Sequence, residues 1–205
     1  MSNKVAIVDS IGSNLASLIF ALNRIGSSFE ITDKIDVLNK ASHIILPGVG
    51  AAKNAMTKLK QRELIDGISN LTKPTLGICL GMQIFMDTSE EDDAKCLGII
   101  SNTTRPFVNN RDYPVPHMGW NKVNQNQKHP LWEKISDESF FYFVHSYVVQ
   151  PLKKNEILST TEYGINFTSA VSKDNLVAVQ FHPEKSSNSG LKLLQNFVNW
   201  DGNIK

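Results

Sequence analysis

Apolar positions follow two different patterns along this chain, and the change comes a little past its middle. In the first part, continuous apolar runs alternate with helical stripes. Lys4 to Asp9 reads as a buried strand. Ser13 to Gly26 reads as a helix with Leu15, Leu18, Ile19, Leu22 and Ile25 on one face and Gly26 as its stop. A short strand at Phe29–Thr32, a helix at Ile35–Lys40 and a strand at His43–Pro47 follow, then helices at Ala51–Leu59 and Glu63–Leu71. The apolar run opened by Pro74 predicts a further buried strand, with a helix over Met82–Met86 beyond Gly81. Strands that alternate with helices and are apolar throughout predict a mostly parallel α/β sheet. From Met118 onward the runs shorten to Trp120–Val123, Phe140–Val149, Glu156–Thr161, Phe167–Val171 and Leu176–Phe181. These read as antiparallel strands appended to the parallel core. A closing helix over Lys185–Trp200 carries Leu191, Leu194, Phe197 and Val198 as its stripe.

Composition changes this picture little. A chain of 205 residues, with 41% hydrophobic and 20% charged positions, suits one domain over 1–205 with a full core. A net charge of +1 suggests neither a nucleic-acid nor a membrane surface, and no apolar run reaches the ~20 residues that span a bilayer. The opening Met-Ser-Asn-Lys lacks the features of a signal peptide. Cys79 and Cys96 could form a disulfide, but a reactive thiol in a reducing compartment fits better, so a cytoplasmic location is expected.

Candidate chemistry gathers at two strand ends. Gly77-Ile-Cys79-Leu-Gly81, between strand and helix, has the form of a nucleophile elbow with sulfur in place of oxygen. Its glycines permit a sharp turn, and the helix start beyond offers N–H groups that favour a thiolate and an oxyanion. A buried structural cysteine beside a tight turn would look the same. The second end, Gln180-Phe-His182-Pro-Glu184, puts a histidine and a carboxylate two residues apart, on one side of an extended chain. Cysteine, imidazole and carboxylate make a nucleophile, a base and an orienting group for acyl transfer.

With Pro47-Gly-Val-Gly50, these motifs resemble the class I glutamine amidotransferases, which implies a three-layer, flavodoxin-like open sheet. Pro116-His-Met-Gly-Trp-Asn121 and Tyr142-Phe-Val-His-Ser-Tyr147 narrow the resemblance to the glutaminase subunits of imidazole glycerol phosphate synthases. The resemblance implies Cys79, His182 and Glu184 as catalytic residues, and an oxyanion hole from Val49, Gly50 and Leu80. It places Gln83, Glu91, His145, Ser146 and Tyr147 around the substrate glutamine. Pro116, His117, Met118, Gly119, Trp120 and Tyr142 resemble a docking surface, with Asn14 and Lys185 beside it. Asn14 could equally be a helix cap, because Ser10 and Ile11 depart from the family's first loop. The implied partner is a separate (β/α)8 cyclase that takes up the ammonia in a heterodimer, and this chain is too short to contain such a barrel. The triad chemistry calls for no metal or organic cofactor. A different ammonia acceptor, a stand-alone cysteine hydrolase and a non-catalytic regulatory subunit are the competing readings. Cys96 lacks the flanking glycines and reads as structural.

Overall fold

The computed structural model describes residues 4–9, 15–108 and 111–203. The first part runs β1 (Lys4–Val8), α1 (Ala16–Arg24), β2 (Ser28–Thr32), α2 (Ile35–Lys40), β3 (His43–Gly48), α3 (Ala52–Gln61), α4 (Ile65–Ser69), β4 (Thr75–Cys79) and α5 (Leu80–Gln83). The second part is mostly strand: β5 (Met86–Ser89), β6 (Ala94–Lys95), β7 (Ile100–Pro106), β8 (His117–Gln125), β9 (Ser139–His145), β10 (Tyr147–Pro151), β11 (Ile157–Tyr163), β12 (Ile165–Lys173) and β13 (Leu176–Val179). Helix α6 (Ser187–Asn199) follows.

Strands β2, β1, β3, β4 and β13 lie side by side and parallel. Antiparallel strands β12, β10 and β7 extend the sheet beyond β13; β5 then joins β7 in parallel, with β6 at the edge. A branch of β11, β8 and β9 leaves from β12.

Side-chain alternation explains why the parallel strands are apolar throughout. Val5, Ile7, Ile45, Leu76, Ile78, Val177 and Val179 point into one core with residues of α1 and α6. Ala6, Val8, Ile44, Leu46, Leu176 and Ala178 point into a second core with residues of α2, α3 and α4. Helices therefore cover both faces, which gives the three layers.

Three of the predicted elements that border the candidate chemistry end differently in the structure. The helix expected over Met82–Met86 is the single turn α5, because N–H groups of Leu97, Gly98, Ile99 and Ile100 bond to the carbonyls of Ile84, Met86 and Phe85 and draw the chain into β5. The expected strand Phe140–Val149 breaks at Ser146: β9 pairs with β8, whereas β10 joins the main sheet between β7 and β12. The expected strand Leu176–Phe181 stops at Val179.

Register positions the chemistry. Gly48 pairs with Cys79 across β3 and β4, so Val49 and Gly50 leave the sheet beside the elbow. Ile78 pairs with Val179 on the other side, so Gln180 and His182 follow within a few residues of the cysteine.

Candidate active site

Cys79 ends β4 with φ 56 and ψ −109, a left-handed backbone that a β-carbon makes costly. The strain therefore sits on the cysteine itself, and the two glycines serve packing. A β-carbon on Gly81 would meet the Leu46 carbonyl oxygen at 1.9 Å, and one on Gly77 would meet Phe85 at 2.5 Å. With only four residues, α5 offers local N–H groups more than a long aligned dipole. The Cys79 thiol donates weakly to the Val144 carbonyl at 3.9 Å.

His182 is buried, and its Nδ1 lies 2.7 Å from Glu184 Oε1. Strand alternation does not make this pair. His182 is extended, and Pro183–Lys185 then form one 3₁₀ turn that folds the carboxylate back onto the imidazole. Ser186 fixes the turn, donating its Oγ to the His182 carbonyl at 2.6 Å and accepting from Tyr142 N at 2.9 Å. Burial presses the imidazole toward the neutral form, but Cys79 and Glu184 outweigh it and raise its pKa to about 10. Nε2 has no hydrogen-bond partner among the described residues, which leaves it as the ring nitrogen not committed to Glu184.

A cavity of about 420 Å³ opens over the sulfur, within the range of small-molecule sites. Cys79, His182, Val49, Gly50, Leu80, Gln83, Glu91, His145, Ser146 and Tyr147, all singled out from sequence, line it. A larger hollow of about 770 Å³ lies between α3 and β6. Its one thiol, Cys96, is pushed up to about 11 by burial and by Glu91, so the larger hollow lacks a ready thiolate. Glu91 also accepts from Ala52 N at 2.8 Å, which anchors it at the start of α3. The His145 ring lines the cavity but is committed to hydrogen bonds within the protein. Its Nδ1 donates to the Tyr147 carbonyl at 2.8 Å and its Nε2 meets His117 Nδ1 at 3.0 Å, so both nitrogens are engaged within the protein.

The family model for class-I glutamine amidotransferases matches residues 2–200 of the chain. The chain belongs to that family. Imidazole glycerol phosphate synthase subunit HisH 2 of Legionella pneumophila is 45% identical over 194 residues, covering 95% of this chain and 96% of that protein. The corresponding subunit HisH of Haemophilus influenzae shows the same identity and the same coverage. A solved glutamine amidotransferase matches the fold with a TM-score of 0.74 at 17% identity, covering 97% of this chain and 99% of that one.

The amidotransferase presents a patch of apolar residues next to the cavity. Met118 is 62% exposed, and Trp120 and Phe140 are each 52% exposed. Trp120 pairs with Tyr142 across β8 and β9, their rings 6.1 Å apart. Pro116 and Lys185 are exposed, and Gly119 and Tyr142 half-buried. His117 does not belong to this surface. At 2% exposure it stacks between Phe143 and Tyr163, because alternation along β8 turns it to the face opposite Met118. Asn14 lies outside the described residues. No helix among the described residues is long and apolar enough to cross a membrane.

The sequence alone does not single out Ala51, Val144, Gln180 or Ser186 for the amidotransferase site. Ser186 looked like an ordinary residue at a helix start. Gln180 carried a signal that went unused, being a polar side chain within an otherwise apolar run; it is fully buried, and its Nε2 donates to Cys79 Sγ at 3.7 Å.

Proposed function

We propose that this chain is the glutaminase subunit of an imidazole glycerol phosphate synthase, hydrolysing glutamine and passing ammonia to a separate cyclase subunit. One observation carries the chemistry: Cys79, in its strained elbow, shares a cavity with a His182 that Glu184 holds at 2.7 Å. With its pKa near 10, His182 is an imidazolium at neutral pH, the natural counter-charge for a thiolate. Sulfur attacks the side-chain amide carbon, and backbone N–H groups near Val49, Gly50 and Leu80 receive the oxyanion. The C–N bond breaks as His182 gives its proton to the leaving nitrogen, which releases ammonia and leaves a thioester. His182 then takes a proton from water, the hydroxide attacks the thioester, and glutamate leaves as the sulfur is restored.

The rest of the cavity suits the amino-acid end of glutamine. The Gln83 nitrogen donates to Tyr147 and Gln180, which leaves its oxygen to accept from an ammonium group. Glu91 has one oxygen on Ala52 N and another for the same ammonium. The chain around Ser146 and Tyr147 receives the carboxylate. Met118, Trp120, Phe140 and Tyr142 form the docking face for the cyclase, with Pro116, Gly119 and Lys185 around it. The complex is a heterodimer, and the two free, buried cysteines suit a reducing cytoplasm.

The test is glutamate release by the chain alone, with cyclase, and with cyclase plus its nucleotide substrate. Strong activity only in the full mixture, lost in Cys79→Ser, supports the reading. High activity of the isolated chain would make it a stand-alone hydrolase.

A further inference from the structure

Gln180 lies one residue past β13, beside the elbow, and the orientation of its amide is dictated by its neighbours. The Tyr147 carbonyl can only accept, so the Gln83 nitrogen must face it, at 3.4 Å. That nitrogen also faces Gln180 at 3.1 Å, so Gln180 must present its oxygen there. The Gln180 nitrogen is thereby turned onto Cys79 Sγ. Flipping Gln180 would set two N–H donors against each other, and flipping Gln83 would set two oxygens against each other. Tyr147 is itself fixed, because its carbonyl also accepts from His145 Nδ1 at 2.8 Å.

We infer that Gln180 is a positioning residue that holds the Cys79 sulfur as a hydrogen-bond acceptor and so favours its thiolate. This rests on the reading of Cys79 as nucleophile. The Val144 carbonyl works the other way, since it can accept only from the neutral thiol. The titratable groups around the sulfur are His182, backed by Glu184, with His145, Tyr147 and Glu91 elsewhere on the cavity lining. Among these neighbours Gln180 is the uncharged donor, and a donor to the charged form stabilises that form.

The experiment uses the full chain and the variants Gln180→Met and Gln180→Glu. Carbamidomethylation of Cys79 by iodoacetamide is followed between about pH 5 and 10 through the mass of the peptide that carries it. In Gln180→Met the reactivity midpoint is expected about one pH unit higher, the worth of one hydrogen bond to a charged group. Gln180→Glu, with a carboxylate facing the sulfur, is expected to raise it at least as far. A folded Gln180→Met with an unmoved midpoint overturns the inference. If neither variant folds, Gln180 is a structural residue and the inference falls as well. Should complete alkylation of Cys79 leave intact the glutaminase activity measured with cyclase and its nucleotide substrate, the nucleophile reading itself falls and takes this inference with it.

Discussion

The five histidines of this chain share one ordinary pKa, and their surroundings send them in opposite directions. Burial pushes His43, His117, His129 and His145 down. The same desolvation acts on His182, but Cys79 and Glu184 outweigh it. Because the folded value lies above the unfolded one, the contribution of His182 to stability is complete below about pH 6.5. It is lost as pH rises toward about 10. Glu184→Gln keeps the shape of the turn but removes the charge, so His182 should titrate lower and its stabilisation should fade at lower pH. Turnover should drop on the order of 10²-fold, the lower range for an impaired acid–base group. Imidazole NMR titration of the variant checks the cause: if His182 still titrates near 10, the carboxylate is not what holds it.

At the scale of elements, the elbow depends on backbones in near contact. Gly81→Ala would place its new carbon 1.9 Å from the Leu46 carbonyl, and both partners are main chain in adjoining elements. No rotamer relieves such a clash, so the loss should reach or exceed the upper end of the ~1–3 kcal/mol typical of overpacking. Gly50→Ala meets nothing within 4 Å but inherits φ +94, so its cost is backbone strain of about 1–2 kcal/mol. Denaturant unfolding of the two variants should rank them in that order, and equal losses would sink the packing argument. The glycine pattern was legible from sequence, although its reason was not: sequence cannot show that β3 presses against the turn. Strands β1, β3 and β4 were legible because both faces are buried and the apolar runs are continuous. The break at Ser146 was hidden, because apolar residues continue on both sides of it and only the partner strands change. The one-turn length of α5 was hidden too, since the groups that end it come from residues 97–100. Sequence also placed His182 and Glu184 together, but a 3₁₀ turn and not an extended strand closes the pair.

For the molecule as a whole, the four neutral histidines carry a prediction about acid. His117 and His145 sit back to back between β8 and β9, while His129 accepts from Leu131 N and packs on Trp200. Their pKa values fall to about 4 for His117 and His129 and to about 3 for His145, so in the folded chain they stay neutral well below the ordinary value. The unfolded chain takes up those protons near pH 6.5, and their contribution is therefore present above that pH and lost as it falls. Near pH 5 His182 adds nothing, being protonated in both states. Unfolding near pH 5 should thus take up about three protons, before most carboxylates begin to titrate. Urea midpoints measured between about pH 6 and 5 should decline with nearly that steepness, and His129→Gln should make the decline about one proton shallower. A midpoint that stays flat down to about pH 5 would mean that these rings accept protons in place, and that the pairing of His117 with His145 is not held neutral by the fold.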